Sequence, residues 1–140
     1  MSGHHDADGP AVKLSARVLR PGTGSLAARI RLGYDSADPY AVAMTVRLPG
    51  GRVIPWTFGR SLLADGLRRE TGIGDVTVAP CPQAPSDLLH VTLRNDVSDA
   101  VLEMRMSPVS EFLLLTYRRV PLGREGLFLV VDDDVSAIAS

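Results

Sequence analysis

Cysteine is all but missing from this 140-residue chain, where Cys81 stands alone. That excludes an intramolecular disulfide framework and any Cys-rich zinc site. Lysine is as scarce: Lys13 is the single one, and the other basic residues are arginines, each a planar fork of donors. Net charge of one sign is also lacking. Fifteen basic and 16 acidic residues leave a formal charge of −1, which argues against strong nonspecific attraction to nucleic acid or an anionic membrane. No apolar run approaches the roughly 20 residues that span a bilayer, and no charged-then-apolar leader opens the chain. A cytoplasmic protein without membrane insertion is expected.

What is present suits a single domain. Hydrophobic residues make up 45% of the chain and charged residues 22%, enough to bury a core. Charge is unevenly placed. The N-terminal ten residues are acidic and the C-terminus carries Asp132, Asp133 and Asp134, while residues 11–131 hold all 15 cations. Residues 1–10 lack apolar periodicity and are expected to be flexible, leaving residues 11–140 as one domain. His4, His5 and Asp6 in that first segment offer metal-ligating groups but no supporting shell.

Residues 12–19 alternate, with Val12, Leu14, Ala16 and Val18 on one parity; residues 26–34, where parity points Leu26, Ala28, Ile30, Leu32 and Tyr34 into the core, and residues 41–48 repeat the pattern. Asp35 to Pro39 is a turn, because Asp side chains cap local N–H groups and Pro39 excludes helix at Asp38. Pro49-Gly50-Gly51 reads as a hairpin turn into residues 52–58, where Pro55 predicts an edge strand or a bulge. Further strands are predicted at 75–80, 88–94, 100–106 and 127–131, with a proline-rich excursion over 80–85.

Two helices are predicted. Residues 60–69 set Leu62, Leu63 and Leu67 inward and Arg60, Arg68 and Arg69 outward, although Gly66 weakens the helix by about 1 kcal/mol relative to Ala. Residues 108–120 follow a Ser107 N-cap, with Pro108 at the first helical position. Val109, Phe112, Leu113, Thr116, Tyr117 and Val120 form one stripe. Leu114 and Leu115 lie off it, which predicts a subunit contact on a second face. The acids at 132–134 could start a terminal helical turn. The fold class is α+β: antiparallel sheets with two main helices, in the order strands, helix, strands, helix.

No catalytic constellation emerges, and no cofactor or metal site is expected. His90 falls on the polar parity of its strand and reads as a surface histidine, while Cys81 has no histidine near it in sequence. Thr71-Gly-Ile-Gly-Asp75 follows a helix and precedes a strand, the reverse of a phosphate loop, so it reads as a helix cap and turn. Arg29, Arg31 and Arg47 line the outer face of the first strands. Tyr40 is the aromatic best placed to stack on a base.

Several segments resemble one family, the SsgA-like sporulation and cell-division proteins of actinomycetes. They are Leu32-Gly-Tyr-Asp-Ser-Ala-Asp-Pro-Tyr-Ala-Val42, then Trp56-Thr-Phe-Gly-Arg-Ser-Leu-Leu63 with Asp65-Gly-Leu67, then Thr71-Gly-Ile-Gly-Asp-Val76. Phe112-Leu113 before Thr116, Val120-Pro-Leu-Gly-Arg-Glu125 and the closing acidic segment with Val135 and Ile138 agree, so the match runs from Leu26 to Ile138. The resemblance implies a non-enzymatic cytoplasmic protein acting at division septa, in septum site selection or septal wall remodelling, by recruiting division proteins such as the tubulin-like FtsZ. It also implies a whirly-like fold and a homotrimer, which keeps single-stranded nucleic acid as the alternative ligand. The family has no catalytic residues to carry over. Its recurring positions here are Tyr34, Asp35, Asp38, Pro39, Tyr40, Trp56, Phe58, Gly72, Gly74 and Asp75. Among these, Asp35, Asp38 and Tyr40 on the exposed turn are the candidate partner interface, and Leu114 and Leu115 the candidate oligomer interface.

Overall fold

Period-two apolar patterning builds most of this chain, seen here in a computed structural model that describes residues 9–20, 22, 24–83, 87–95 and 99–128. The first half is a four-stranded meander, β1 (Ala11–Arg20), β2 (Gly24–Gly33), β3 (Ala41–Arg47) and β4 (Val53–Gly59), followed by helix α1 (Arg60–Gly66). The second half repeats the plan with β5 (Thr71–Ile73), β6 (Val76–Pro80), β7 (Leu88–Arg94), β8 (Asp99–Arg105) and helix α2 (Met106–Arg119). The architecture is α+β with a curled antiparallel sheet.

More than one antiparallel sheet was expected; instead the strands form one sheet in the order β4-β3-β2-β1-β8-β7-β6-β5. The seam is the β1–β8 pairing, from Ala16↔Met104 to Leu19↔Val101. One face of every long strand supplies the core: Ile30, Leu32, Val42, Met44, Leu89, Val91 and Leu102 are all essentially inaccessible. Both helices cover that face. α1 packs on β4, β5 and β6, and α2 on β1 and α1, with Val109, Phe112, Leu113 and Thr116 of the expected stripe buried. Pro55 sits on the outermost strand, β4, where its missing N–H costs no ladder bond. Gly50 and Gly51 take φ of +92° and +90° in the β3–β4 turn, a conformation that L side chains resist.

Four expectations need correction. α1 stops at Gly66, and its first residue, Arg60, is buried instead of outward. α2 begins at Met106 after an N-cap at Arg105 that makes no side-chain cap bond, so Ser107 lies inside the helix. Pro108 is still tolerated, since first-turn N–H groups have no intrahelical acceptor. Residues 71–73 are a short strand hairpinned onto β6, with Gly74 at φ +60° in the turn. Residues 127 and 128, expected in a strand, are helical. The remainder of that expected strand, the helical turn expected at 132–134 and residues 1–8 of the segment expected to be flexible lie outside the described residues.

Candidate functional site

The junction of β4 and α1 organises one end of the molecule. The Arg60 amide donates to the Tyr40 carbonyl at 2.7 Å, and the Arg60 side chain turns inward until the residue is only 1% exposed. Its guanidinium satisfies partners on several sides. Nη1 donates to the Val120 carbonyl at 2.8 Å and the Thr116 carbonyl at 3.3 Å, capping the C-terminal end of α2. Nη2 donates to Glu125 Oε2 at 2.8 Å. The rings of Tyr117 and Tyr34 flank its Cζ at 4.5 and 5.1 Å. Both terminal nitrogens of the planar fork that distinguishes arginine from lysine are therefore engaged.

Electrostatics follow from this packing. Burial pushes the Tyr34 phenol up to about 12, against a smaller lowering by Arg60. Burial also raises Tyr117. Glu125 is held below the ordinary carboxylate range, first by its own backbone amide and then by the Arg60 guanidinium, with the Gly123 amide adding a bond at 2.9 Å.

The turn between β2 and β3 stands on this hub. Tyr34 donates its hydroxyl to the Pro39 carbonyl at 2.8 Å. Asp35 Oδ1 accepts from the Ala37 amide at 2.9 Å, and the Asp38 amide donates to the Asp35 carbonyl at 2.9 Å. Asp35 and Asp38 are exposed and Tyr40 is 51% exposed, so the turn presents two carboxylates and a phenol on a braced backbone. Gly126 lies on the far side, where a Cβ would stand at ordinary contact, 3.8 Å from the Tyr40 hydroxyl. That places the turn beside the segment after α2, where Leu122 and Leu127 are exposed. Leu114 and Leu115 lie on α2 itself, 60% and 41% exposed.

Two groups remain. On the outer face of the first meander, Lys13 stands opposite Arg31 and Arg29 opposite Arg47. Like charges placed so repel, and the ion pairs among the described residues involve other cations. On the outer face of the second meander, His90 is not a solitary surface histidine. Its Nε2 lies 2.9 Å from Glu103 Oε2, and the Cys81 thiol, buried although it follows the proline-flanked strand end, joins them in one cluster. The β6–β7 pairing makes that neighbourhood, which sequence spacing alone hides.

Arg60 was the residue that sequence reasoning misplaced. Its spacing within the helix gave it an outward face. The available signal was a second one: an arginine directly after a strand and one residue ahead of Leu62-Leu63-Ala64, with Tyr34 already assigned to the core.

The fold and this end of the molecule define an α+β protein in which a buried arginine and its partners brace an exposed turn. Residues 28–125 match the family of the Streptomyces sporulation and cell division protein SsgA. The chain belongs to this family. It is 35% identical to the sporulation-specific cell division protein SsgB of Frankia casuarinae over 131 residues, 94% of this chain and 92% of that one. It is likewise 35% identical to SsgB of Streptomyces coelicolor over 126 residues, 90% of this chain and 92% of that one. Among solved structures, an SsgA-like sporulation-specific cell division protein from Thermobifida fusca matches with a TM-score of 0.86 at 28% identity, covering 93% of this chain and 95% of that one. An SsgB structure, from work relating SsgB mutations to longitudinal cell division during sporulation of Streptomyces coelicolor, matches at 0.79 and 34% identity over 86% and 94%. No helix among the described residues is long and apolar enough to cross a membrane.

Proposed function

We propose that this protein works in sporulation septation as a non-enzymatic binding module, in septum site selection or septal wall remodelling. It self-associates, as a trimer of whirly-like subunits, and recruits cytoplasmic division proteins such as FtsZ to the septum. The observation that carries this reading is the apolar surface of α2. Leu114 and Leu115 are 60% and 41% exposed on a helix whose other face is already buried, and such leucines gain free energy when a neighbouring copy covers them. The turn bearing Asp35, Asp38 and Tyr40 supplies the contact for other partners.

Leu114→Asp with Leu115→Asp is expected to leave a folded protein by circular dichroism and reduce its mass by light scattering to that of one chain. An unchanged mass would remove these leucines from the subunit contact. Loss of septal localisation in a Tyr40→Ala and Asp38→Ala variant of unchanged mass would separate recruitment from assembly.

A second reading, binding of single-stranded nucleic acid, is favoured by the opposed cations Lys13↔Arg31 and Arg29↔Arg47. It requires retention of labelled single strands that falls steeply as salt rises.

A further inference from the structure

We propose that Cys81, His90 and Glu103 form a binding site for one zinc-class divalent cation on the outer face of the second meander. Three adjacent strands supply the ligands. In the sheet register His90 stands opposite both Ala79 and Glu103. Cys81 extends the β6 ladder by one step, its amide donating to the Leu88 carbonyl at 2.9 Å. Parity turns all three side chains away from the core face occupied by Val78, Leu89, Val91, Leu102 and Met104.

An outward face usually means full hydration. Here Cys81 is 8% exposed, and the side chains of His90 and Glu103 only 23% and 19%. A thiol sulfur, an imidazole nitrogen and a carboxylate oxygen can all lie within 4.8 Å of one another. Ligands at zinc bond lengths of about 2.0–2.3 Å stand roughly 3.5 Å apart around a tetrahedral ion. Small side-chain rotations therefore suffice to close the cluster on a metal.

The donor set selects the ion. A thiolate and an imidazole disfavour magnesium and calcium, which take oxygen, and suit zinc. The Cys81 sulfur lies 3.7 Å from Gln83 Oε1, so the Gln83 carboxamide or a solvent molecule can complete four-coordination. Without metal, the His90–Glu103 bond holds two ligands in place. Arg17, which faces Glu103 across β1–β8, donates from Nη2 to Ser25 Oγ at 2.7 Å, while the carboxylate pairs with His90. Binding releases the thiol proton, and the neutral imidazole carries its remaining proton on the nitrogen that faces away from the ion. A bound ion would clamp the segment after β6 to β7 and β8.

His4 and His5 also attract divalent ions, so the test uses the full chain carrying His4→Ala and His5→Ala, kept reduced and titrated with Co²⁺. The expected result is a thiolate-to-cobalt charge-transfer band that saturates at one ion per chain and is displaced by Zn²⁺. In the same background Cys81→Ser should abolish the band, and His90→Ala and Glu103→Gln should each weaken Zn²⁺ binding more than about tenfold. Absence of the band in the folded parent overturns the proposal without recourse to the variants. So does undiminished Zn²⁺ affinity in folded Cys81→Ser.

Discussion

Among the described residues, Arg60 is the buried charged side chain, and several partners replace its hydration. An ion taken out of water is held only when attraction and hydrogen bonds replace its hydration, and here two carbonyls, a carboxylate and two aromatic rings do so. Removing it would orphan the Val120 carbonyl, leave the Thr116 carbonyl with the Val120 amide as its remaining backbone donor, and take away the cation paired with Glu125. Arg60→Ala is expected to cost about 3–5 kcal/mol in urea unfolding. Arg60→Lys should cost about 1–3 kcal/mol, because one ammonium cannot reach the same partners. Parent-like stability of Arg60→Lys would show that charge matters and the fork does not. Two further groups give the hub opposite pH limits. The folded state holds the Tyr34 proton more tightly than the unfolded chain does. Its contribution is therefore whole below pH about 10 and is lost as pH rises toward about 12. Glu125 has a lowered pKa, so its contribution is whole above the ordinary carboxylate range and is lost as pH falls through the lowered value. Urea titrations across pH should show Tyr34→Phe flattening the alkaline loss, and Glu125→Gln the acid loss. Of this hub, Tyr34 in the core was legible from strand parity. The inward turn of Arg60 was not, because it depends on partners more than fifty residues away.

Among the elements, α1 illustrates how packing overrides local propensity. Gly66 at its end looks like a weak point that alanine should repair by about 1 kcal/mol. The helix, however, lies so close to β6 that a Cβ at Gly66 would stand 2.2 Å from Val78 Cγ1 and 3.0 Å from the Val78 carbonyl oxygen. Gly66→Ala must push the helix off the sheet, and the overpacking cost of about 1–3 kcal/mol outweighs the propensity gain. Chemical denaturation should therefore give a lower midpoint for Gly66→Ala, which adding Val78→Ala does not restore, because the Val78 Cβ would still stand 2.4 Å from the new methyl. A raised midpoint for the single variant would mean that α1 can shift without loss. Periodicity made β1 to β4, β6 to β8 and the stripe of α2 legible, since each exposes one face to a different environment. It failed at β5, whose three residues are too few for a pattern, and at residues 127–128, where an apolar run fits either helix or strand.

At the scale of the whole molecule, the two meanders are joined by a short seam and crossed by their helices. β1 and β2 pair over ten positions, from Ala11↔Gly33 to Arg20↔Gly24, whereas β1 and β8 pair only from Ala16↔Met104 to Leu19↔Val101. Such a seam alone would let the halves open independently. Each helix prevents this by packing across: α1 leaves the first meander to rest on β5 and β6, α2 leaves the second to rest on β1, and Arg60 ties one helix to the other. None of this crossing was legible in the sequence, because amphipathic stripes say which face is buried and not against what. The chain carries its own reporters for the consequence. Trp56, the single tryptophan, lies on β4 in the first meander, and Cys81, the single cysteine, is buried beside β7 in the second. Tryptophan fluorescence and thiol labelling in a urea series, without added metal, are expected to follow one transition with a common midpoint, as for a single cooperative unit. In Arg60→Ala the tie between the helices is gone, so the two signals should separate, Cys81 becoming reactive while Trp56 remains in its native environment or the reverse. Separate midpoints in the parent protein would show that the crossed helices do not couple the halves, and that the seam sets the limit of cooperativity.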